Sequence, residues 1–410
     1  MCDHHDHYAE CVVTGAVRTP VGSYLGSLKT IPPDELAAPV LIEVLKRSNI
    51  TEDAVDQIIL GDVLSHEPNI ARIASLLAGY RIETPAFTVD RQCGSSLQAV
   101  INAVQGIKSG DEEVIVAGGT ENMSRGPYYM ADSIRYEGFR MGNSEIIDSF
   151  AYATTHCHPH TLYSNLNMGL TAENIAKAYG ISREMQDEYA YHSQMKYKAA
   201  FEAGKFRDEI LPVTVKSKKT EFVFSEDEHP KTDTTIDTLA ALKPAFLRDG
   251  NGTVTAGNSS GMNDGASAVV IMNKDHASES GCKPLVYIAA TSSAGVDPTV
   301  MGIGPVPAVR KLLDKTGLGL QDIGLFEFNE AFAAQSLGCL IELEMAPGTE
   351  LYERVNVNGG AIAHGHALAN SGTRLLTTLI YEMKRRNVEF GIVSLCCGGG
   401  QGVAVLIENC

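Results

Sequence analysis

The chain is 410 residues long, more than one simple hydrophobic core accommodates, so length alone predicts two or three packed units. With 44% hydrophobic and 20% charged residues, its composition is that of a soluble globular enzyme. A formal net charge of −17 argues against nucleic acid and anionic membranes as partners, because both repel an acidic surface.

From the N-terminus, ECVVTGAVRTP reads as a strand that breaks at Pro20, and DELAAPVLIEVLKRSN as a helix with Asp34 as its N-cap. VDQIILGDVL is a short apolar strand, and NIARIASLLAG a helix with Gly79 just past its end. AFTVD is a strand, residues 94–108 a helix, and EEVIVAGG a near-continuous apolar strand of the buried parallel kind. The final third has the same grammar. PLVYIAATSS is a strand, GPVPAVRKLLDKTG a helix, IGLFEFNEAFAAQ strand into helix, VNVNGG a strand, SGTRLLTTLIYEMKRR a helix and FGIVSLCCGGGQGVAVLIE a hairpin. Strands separated by helices imply a layered α/β fold. CGSSLQAVINAVQGIKSGDEEVIVAGG and NSGTRLLTTLIYEMKRRNVEFGIVSLCCGG share one pattern, which reads as an internal duplication; two similar βα units in one large sheet is the competing description.

Residues 122–262 differ in style. A long helix opens at Ser182 and closes at Gly204, with Met185, Tyr189, His192, Met195 and Ala199 expected on one face. Because this stretch carries its own amphipathic helices it is an insertion rather than a linker, and such insertions usually shape the ligand site. The expected division is therefore 1–121, 122–262 and 263–410. An anionic small ligand needs a local basic patch, and VKSKKT (215–220) and residues 243–248 are the candidates; a solvated charged loop is the other reading of the first. Nine scattered cysteines fit a reducing compartment better than a disulfide framework. The acidic, His-rich MCDHHDHYAE has neither signal-peptide nor transit-peptide character, no apolar run reaches membrane-spanning length, and IENC is no peroxisomal address, so a cytoplasmic location is expected.

Four stretches carry chemistry. Cys93 stands between a strand and a helix that begins at about Gly94, where unpaired N–H groups and the macrodipole are expected to lower a thiol pKa. A nucleophile and a buried inert cysteine, the commoner state of a free cysteine, are the two readings, and this position alone does not decide between them. Cys396 ends an apolar strand before Cys397 and three glycines, a loop that a ligand can approach closely. In NVNGGAIAHGHALANSGTR, His364 and His366 compete as the base that activates a thiol. Asn329 in FEFNEAFAAQ either caps the following helix or orients a catalytic water. A metal reading of His156, Cys157, His158 and His160 lacks a closed ligand set, and no metal is expected.

Taken together, AVRTPVGSYLGSL, QCGSSLQAV, AGGTENMS, NMGLTAENIA, TVTAGNSSGMNDGA, MGIGPVPA, FNEAFAAQ, NVNGGAIAHGH and CCGGGQGVAV, in this order from Val12 to Ile407, resemble the thiolases, and among them the acetoacetyl-CoA thiolases. The resemblance implies a five-layered αβαβα thiolase fold of two similar halves with an inserted loop domain. It implies an acyltransferase that condenses two acetyl-CoA to acetoacetyl-CoA and CoA, reversibly, through an acyl-cysteine. Cys93 matches the nucleophile, His366 the histidine that activates it, and Cys396 the cysteine that removes a proton from the incoming acetyl-CoA. Asn329 matches the asparagine whose water, with His366, stabilises the enolate, and the N–H groups of Cys93 and Gly398 match a second oxyanion hole. Met168, Ala256, Ser260, Met301, Ala331 and Phe332 match the pantetheine channel, and Lys243 a position near the CoA adenine. Coenzyme A thioesters are then the substrates, no bound cofactor is implied, and a homo-oligomer, tetramer rather than dimer, is expected through residues 128–146.

The bottom-up chemistry agrees, since Claisen condensation needs an activated thiolate, a carbon-acid base and two oxyanion donors. The chain departs from the family at Ala367 where proline is usual, at His364, at Asn167 and in the His-rich 155–167 insertion. These leave a thiolase for a longer, polar or branched 3-oxoacyl-CoA as the alternative. A non-catalytic acyl-CoA binder is disfavoured because a binder needs no second cysteine, and a ketoacyl synthase because it would use two histidines.

Overall fold

The computed structural model describes residues 11–216, 221–247 and 249–410. The MCDHHDHYAE stretch, residues 217–220 of the first basic candidate and Arg248 of the second lie outside the described residues. Nine strands form one path: β1 (Cys11–Arg18), β2 (Gln57–Gly61), β3 (Ala86–Val89), β4 (Val114–Asn122), β5 (Asn263–Asn273), β6 (Val286–Gly295), β7 (Leu325–Phe328), β8 (Phe390–Cys397) and β9 (Gln401–Asn409). Their order is β7-β8-β9-β6-β1-β5-β4-β2-β3, with Gly22–Ser23 pairing off the path against the start of β5.

Without the edge strand β3, which pairs parallel to β2, the order is a palindrome of pairing types. β2 lies parallel to β4, β4 antiparallel to β5, and β5 antiparallel to β1. Likewise β7 lies parallel to β8, β8 antiparallel to β9, and β9 antiparallel to β6. Within the sheet the two halves join where β1 pairs with β6, at Val12 with Tyr287 and Val13 with Val286. Helix α3 (Ser95–Ser109) leads into β4 as α8 (Ser371–Arg386) leads into β8, so the shared sequence pattern corresponds to equivalent βα units. β5, which the sequence reading groups with the C-terminal unit, is paired on both sides by strands of the N-terminal half.

Alternating side chains separate the layers. In β4, Ile115 and Ala117 face a central core with α3 and α8, while Val114 and Val116 face outward onto α1 (Pro33–Ser48) and α2 (Ile70–Leu77). In β9, Val403, Val405 and Ile407 join the central core, while Ala404 and Leu406 face α6 (Pro305–Thr316) and α7 (Ala333–Glu342). Helix, sheet, helix, sheet, helix is the five-layered αβαβα thiolase arrangement. Burial on both faces explains why these strands read as continuous apolar runs. Among the described residues, no helix is long and apolar enough to cross a membrane.

Three local expectations change. Asp34 is not the cap of α1: Pro32 holds the N-cap position, Pro33 starts the helix with a preset φ, and Asp34 lies in the first turn. VNVNGG is not a strand. Asn356 takes a left-handed φ of 44°, and its carboxamide accepts from Phe328 N and donates to Phe328 O, both at 2.9 Å, so one side chain replaces the strand pairing. The helix opened by Ser182, α5 (Arg183–Glu202), buries a different face from the expected one. Gln186, Asp187, Tyr189, Ala190, Ser193, Gln194, Tyr197 and Ala200 point inward, whereas Met185, His192 and Ala199 are exposed. Buried hydrogen bonds, rather than apolar contact, select that face.

Candidate active site

Cys93 lies in a tight turn between β3 and α3. Gly94 N donates to Arg91 O at 3.1 Å, Ser95 N to Gln92 O at 3.0 Å, and the Ser95 hydroxyl to the same oxygen at 2.6 Å. Gln92 is forced to a left-handed φ of 50°, a strained conformation for a residue with a Cβ, immediately before the cysteine. Gly94 is the cap of α3, so Cys93 sits one residue outside the helix and is half-buried. The expected lowering of its pKa does not occur. Burial, then the neighbouring Cys396 and Cys157 sulfurs, push the Cys93 thiol up, while a hydrogen bond from its own backbone pulls weakly the other way. A thiol in this state needs a base to ionise.

Of the two candidate bases, His366 stands beside Asn329, while His364 is elsewhere. His366 N donates to Asn263 Oδ1 at 2.8 Å. Its Nδ1 is 2.6 Å from the Ser371 hydroxyl, which donates its single proton to Ala367 O at 2.8 Å. Ser371 can therefore only accept from Nδ1–H, which leaves Nε2 with the free lone pair. Burial, helped by Arg374, lowers the His366 pKa to about 3, so the imidazole is neutral at physiological pH. Asn329 closes the group: its backbone N donates to Ser394 O at 3.0 Å, extending β7 along β8, and its Nδ2 is 3.5 Å from His366 Nε2. It does not cap α7, whose N-cap is Phe332. The buried Asn329 Oδ1 has no hydrogen-bond partner among the described residues, as expected of a group that holds a water or substrate atom.

Cys396 faces the opposite way from its neighbour. The Cys397 side chain belongs to the central core, whereas Cys396 packs with Met301, Ala331, Met168 and Phe332 in a small apolar cluster. Burial, then Cys397 and Cys339, push the Cys396 thiol well up, so it too is protonated at rest. Four of the expected channel residues thus meet at the second cysteine. Ser260 N donates to Ala331 O at 3.0 Å, which brings Ser260 to the same wall. Ala256 lies exposed in the preceding turn, and Lys243 is exposed on a loop. Gly398 abuts the Cys93 turn. A Cβ there would stand 3.1 Å from Gln92 Cγ and 3.3 Å from Cys157 Sγ.

Sequence reasoning missed several groups. Phe246 packs edge-to-face on Phe332 with ring centroids 6.0 Å apart. Its only signal is an aromatic residue in a polar loop after Pro244. Ser371 and Asn263, which orient His366, carry no signal beyond being small polar residues near glycines. Glu330, next to Asn329, is a scaffold: its carboxylate accepts from Tyr189 and Ser193 of α5, from Asn356 Nδ2 and from Ile362 N. His364 belongs to a separate buried network, with Nδ1 3.4 Å from Asp227 and the ring edge-on to Tyr197 and Phe206. Asp227 and Glu209 in turn hold Arg18. Asn167 caps α4 (Met168–Tyr179) by accepting from Leu170 N, and Ala367 has the φ of −77° that a proline would have. Of the departures from the family pattern, Ala367 supplies the carbonyl that accepts from Ser371 beside His366, and the 155–167 insertion reaches Cys93 through Cys157. His156 stacks on Tyr152 and approaches His160, with ring centroids 3.8 Å and 4.2 Å apart. Among the described residues no group of three or more His, Cys, Asp or Glu is arranged to hold a metal ion.

Residues 11–275 match the family model described as Thiolase, N-terminal domain, and residues 282–409 that described as Thiolase, C-terminal domain. The chain is 47% identical to an Escherichia coli acetyl-CoA acetyltransferase over 97% of this chain and 99% of that protein. The crystal structure of a Bacillus anthracis acetyl-CoA acetyltransferase superposes with a TM-score of 0.92 at 44% identity, covering 98% of this chain and 99% of that one. A human mitochondrial 3-ketoacyl-CoA thiolase in complex with CoA superposes with a TM-score of 0.91 at 40% identity, over 99% and 100% of the two chains. Two family matches that together span nearly the whole chain, and an α/β sandwich with the same architecture, establish that it belongs to the thiolase family.

Proposed function

We propose that this thiolase condenses two acetyl-CoA to acetoacetyl-CoA and CoA, and runs the reverse thiolysis, by ping-pong chemistry through an acyl group on Cys93. The observation that carries the reading is the pairing of Cys93 with Cys396 and of His366 with Asn329, with Cys396 packed on an apolar wall that includes Ala331, two residues after Asn329. The names of the acetyl-CoA acetyltransferases it resembles support the substrate.

In the first half-reaction His366 Nε2 takes the Cys93 proton, the thiolate attacks the thioester carbonyl, and the proton passes to the departing CoA sulfur. The N–H groups of Cys93 and Gly398 are the proposed donors to the acyl-enzyme oxyanion. In the second, Cys396 gives its resting proton to the vacated His366 Nε2 and, as a thiolate, takes one from the methyl of the incoming acetyl-CoA. The enolate oxygen is met by His366 and a water on Asn329. The enolate carbon attacks the acyl carbonyl, and Cys93 leaves as a thiolate that recovers its proton from His366. A resting thiol becomes a base only when substrate displaces water and a donor stabilises the enolate, so the raised Cys396 pKa matches a group that must return its proton. Met168, Met301, Ala331, Phe332 and Ser260 are proposed to hold pantetheine, with Ala256 and Lys243 further out towards the nucleotide. Coenzyme A thioesters are the proposed substrates, and no step requires a resident cofactor.

We also propose a cytoplasmic homotetramer. The outer edge of β3 carries exposed Phe87, with Ile82 and Leu77 exposed nearby, and Tyr136, Phe139 and Ile146 project from the 128–146 segment. Patches of this kind on a soluble chain are covered by another protein surface, here a second copy. The organisation proposed is an N-terminal half, an inserted loop domain from residue 122 to 262, and a C-terminal half.

The test is thiolysis of acetoacetyl-CoA followed by loss of the magnesium–enolate absorbance on adding CoA. Signal loss supports the assignment; loss only with a longer or polar 3-oxoacyl-CoA replaces it by the second reading, for which the likeness to a 3-ketoacyl-CoA thiolase and the divergent Cys157 segment speak.

A further inference from the structure

Helix α8 and strand β7 each end at the catalytic centre, the first through Ser371 and the second through Asn329. Further inward on each lies a fully buried charged side chain with terminal atoms unpartnered among the described residues. Arg374, one turn after Ser371, has neither Nη1 nor Nη2 hydrogen-bonded among the described residues; Glu327, two residues before Asn329, has Oε2 unbonded. Each is the leading opposite charge felt by the other, yet no direct ion pair within 4.0 Å joins them. Orphaned donors and an orphaned acceptor, both buried and each under the other's charge, are the setting in which an ordered water is held.

We propose that Arg374, bridged to Glu327 by ordered water, is a positioning residue: a fixed cation one turn along the helix from Ser371, the partner of His366 Nδ1, that disfavours imidazolium there and ties the helix carrying Ser371 to the strand carrying Asn329. The inference rests on His366 being the base proposed above. The other charged groups that face this pair are Arg18, Asp227 and Glu209 on the side of Arg374, and Glu330, Glu209 and Glu382 on the side of Glu327. Glu209 Oε2 is likewise unbonded and is the second acceptor open to the bridging water. Arg374 is the one charged group that acts on His366, and it acts in the same direction as burial. Burial pushes Glu327 up to about 8 against the pull of Arg374, so its carboxyl offsets the guanidinium chiefly above that pH.

A cation acting on the base makes imidazolium short-lived, which drives the proton on to the leaving CoA sulfur. Removing it favours a standing Cys93 thiolate–imidazolium pair. The experiment is iodoacetamide labelling of the Cys93 peptide against pH, read by mass spectrometry beside the thiolysis rate. Arg374→Met is expected to label several-fold, up to about tenfold, faster at pH 7 while thiolysis falls. Arg374→Lys is expected to return both towards wild type. Glu327→Gln is expected to label no faster than wild type at pH 7 and to lack the extra rise that wild type shows through pH 8. General loosening of the site would speed labelling in Arg374→Met and Glu327→Gln alike, and that result overturns the proposal. So does labelling unchanged in Arg374→Met, Arg374→Lys behaving as Arg374→Met, or a rise through pH 8 that persists in Glu327→Gln, which decides the matter even if Arg374→Met does not fold. A His366→Asn control separates the two readings. Full thiolysis in that variant removes His366 as the base; an inactive His366→Asn with any of the overturning results removes only the role of Arg374.

Discussion

The Ser371 hydroxyl stands 2.6 Å from His366 Nδ1 and donates its own proton to Ala367 O, so His366 must present an unprotonated Nε2 towards Asn329. One serine thus selects the tautomer of the base. Ser371→Ala leaves a buried N–H without an acceptor, which costs about 1–3 kcal/mol. It also frees the ring to flip, and kcat is expected to fall by roughly tenfold or more. Ser371→Thr, which retains the hydroxyl, is expected to recover most of kcat; equal loss in both variants would speak against tautomer selection.

Gly365 has a φ of 98°, and a Cβ there would meet the Asn263 carboxamide at 2.5–2.6 Å. Asn263 is the acceptor that pins His366 N. Gly365→Ala is therefore expected to lose about 1–3 kcal/mol of stability through backbone strain and nearly all turnover through displacement of His366. Urea unfolding together with the thiolysis rate checks both; a variant with wild-type turnover contradicts this account of the turn.

His364 is buried with its pKa lowered from 6.5 to about 4, by burial first, with Asp227 opposing. The unfolded chain therefore binds this proton at higher pH than the folded chain does. The stability linked to His364 is fully present above pH 6.5 and is lost as pH falls towards 4. His364→Gln is expected to flatten the fall in unfolding free energy over that window by up to about 1.4 kcal/mol per pH unit. Parallel pH profiles for wild type and variant would mean that His364 is solvated in the native state.

Phe332 and Phe246 form an edge-to-face pair on the wall shared with Cys396, and a Cβ on Gly169 would collide with the Phe246 ring. Phe246→Ala is expected to raise KM for CoA thioesters several-fold with little change in kcat, because the ring is remote from the reacting atoms. A kcat effect without a KM effect would place Phe246 in the chemistry instead of the channel.

Much of this was legible in the chain. The repeated pattern of small residues, helix, polar link and apolar strand corresponds to α3–β4 and α8–β8, because burial on both faces leaves an unbroken apolar signature. The Cys93 turn was legible for the same local reason. What escaped depends on partners distant in sequence. The Cys93 pKa is set by burial and by Cys396 and Cys157, and no local helix argument can supply those. The face of α5 was misread because its buried side chains serve Glu330, a polar target invisible to an apolar period. VNVNGG misled because the Asn356 side chain performs the pairing that its backbone was expected to make. The choice between His364 and His366 needed Asp227 and Ser371 on the page, one drawing its histidine away and the other orienting its own.

The central claim is that Cys93 carries the acyl group and Cys396 acts only afterwards. Intact-mass spectrometry after mixing with acetyl-CoA tests it most directly. Wild type and Cys396→Ala are each expected to gain one acetyl group, Cys396→Ala without forming acetoacetyl-CoA, and Cys93→Ala to gain none. An acetyl adduct persisting on Cys93→Ala would contradict the account.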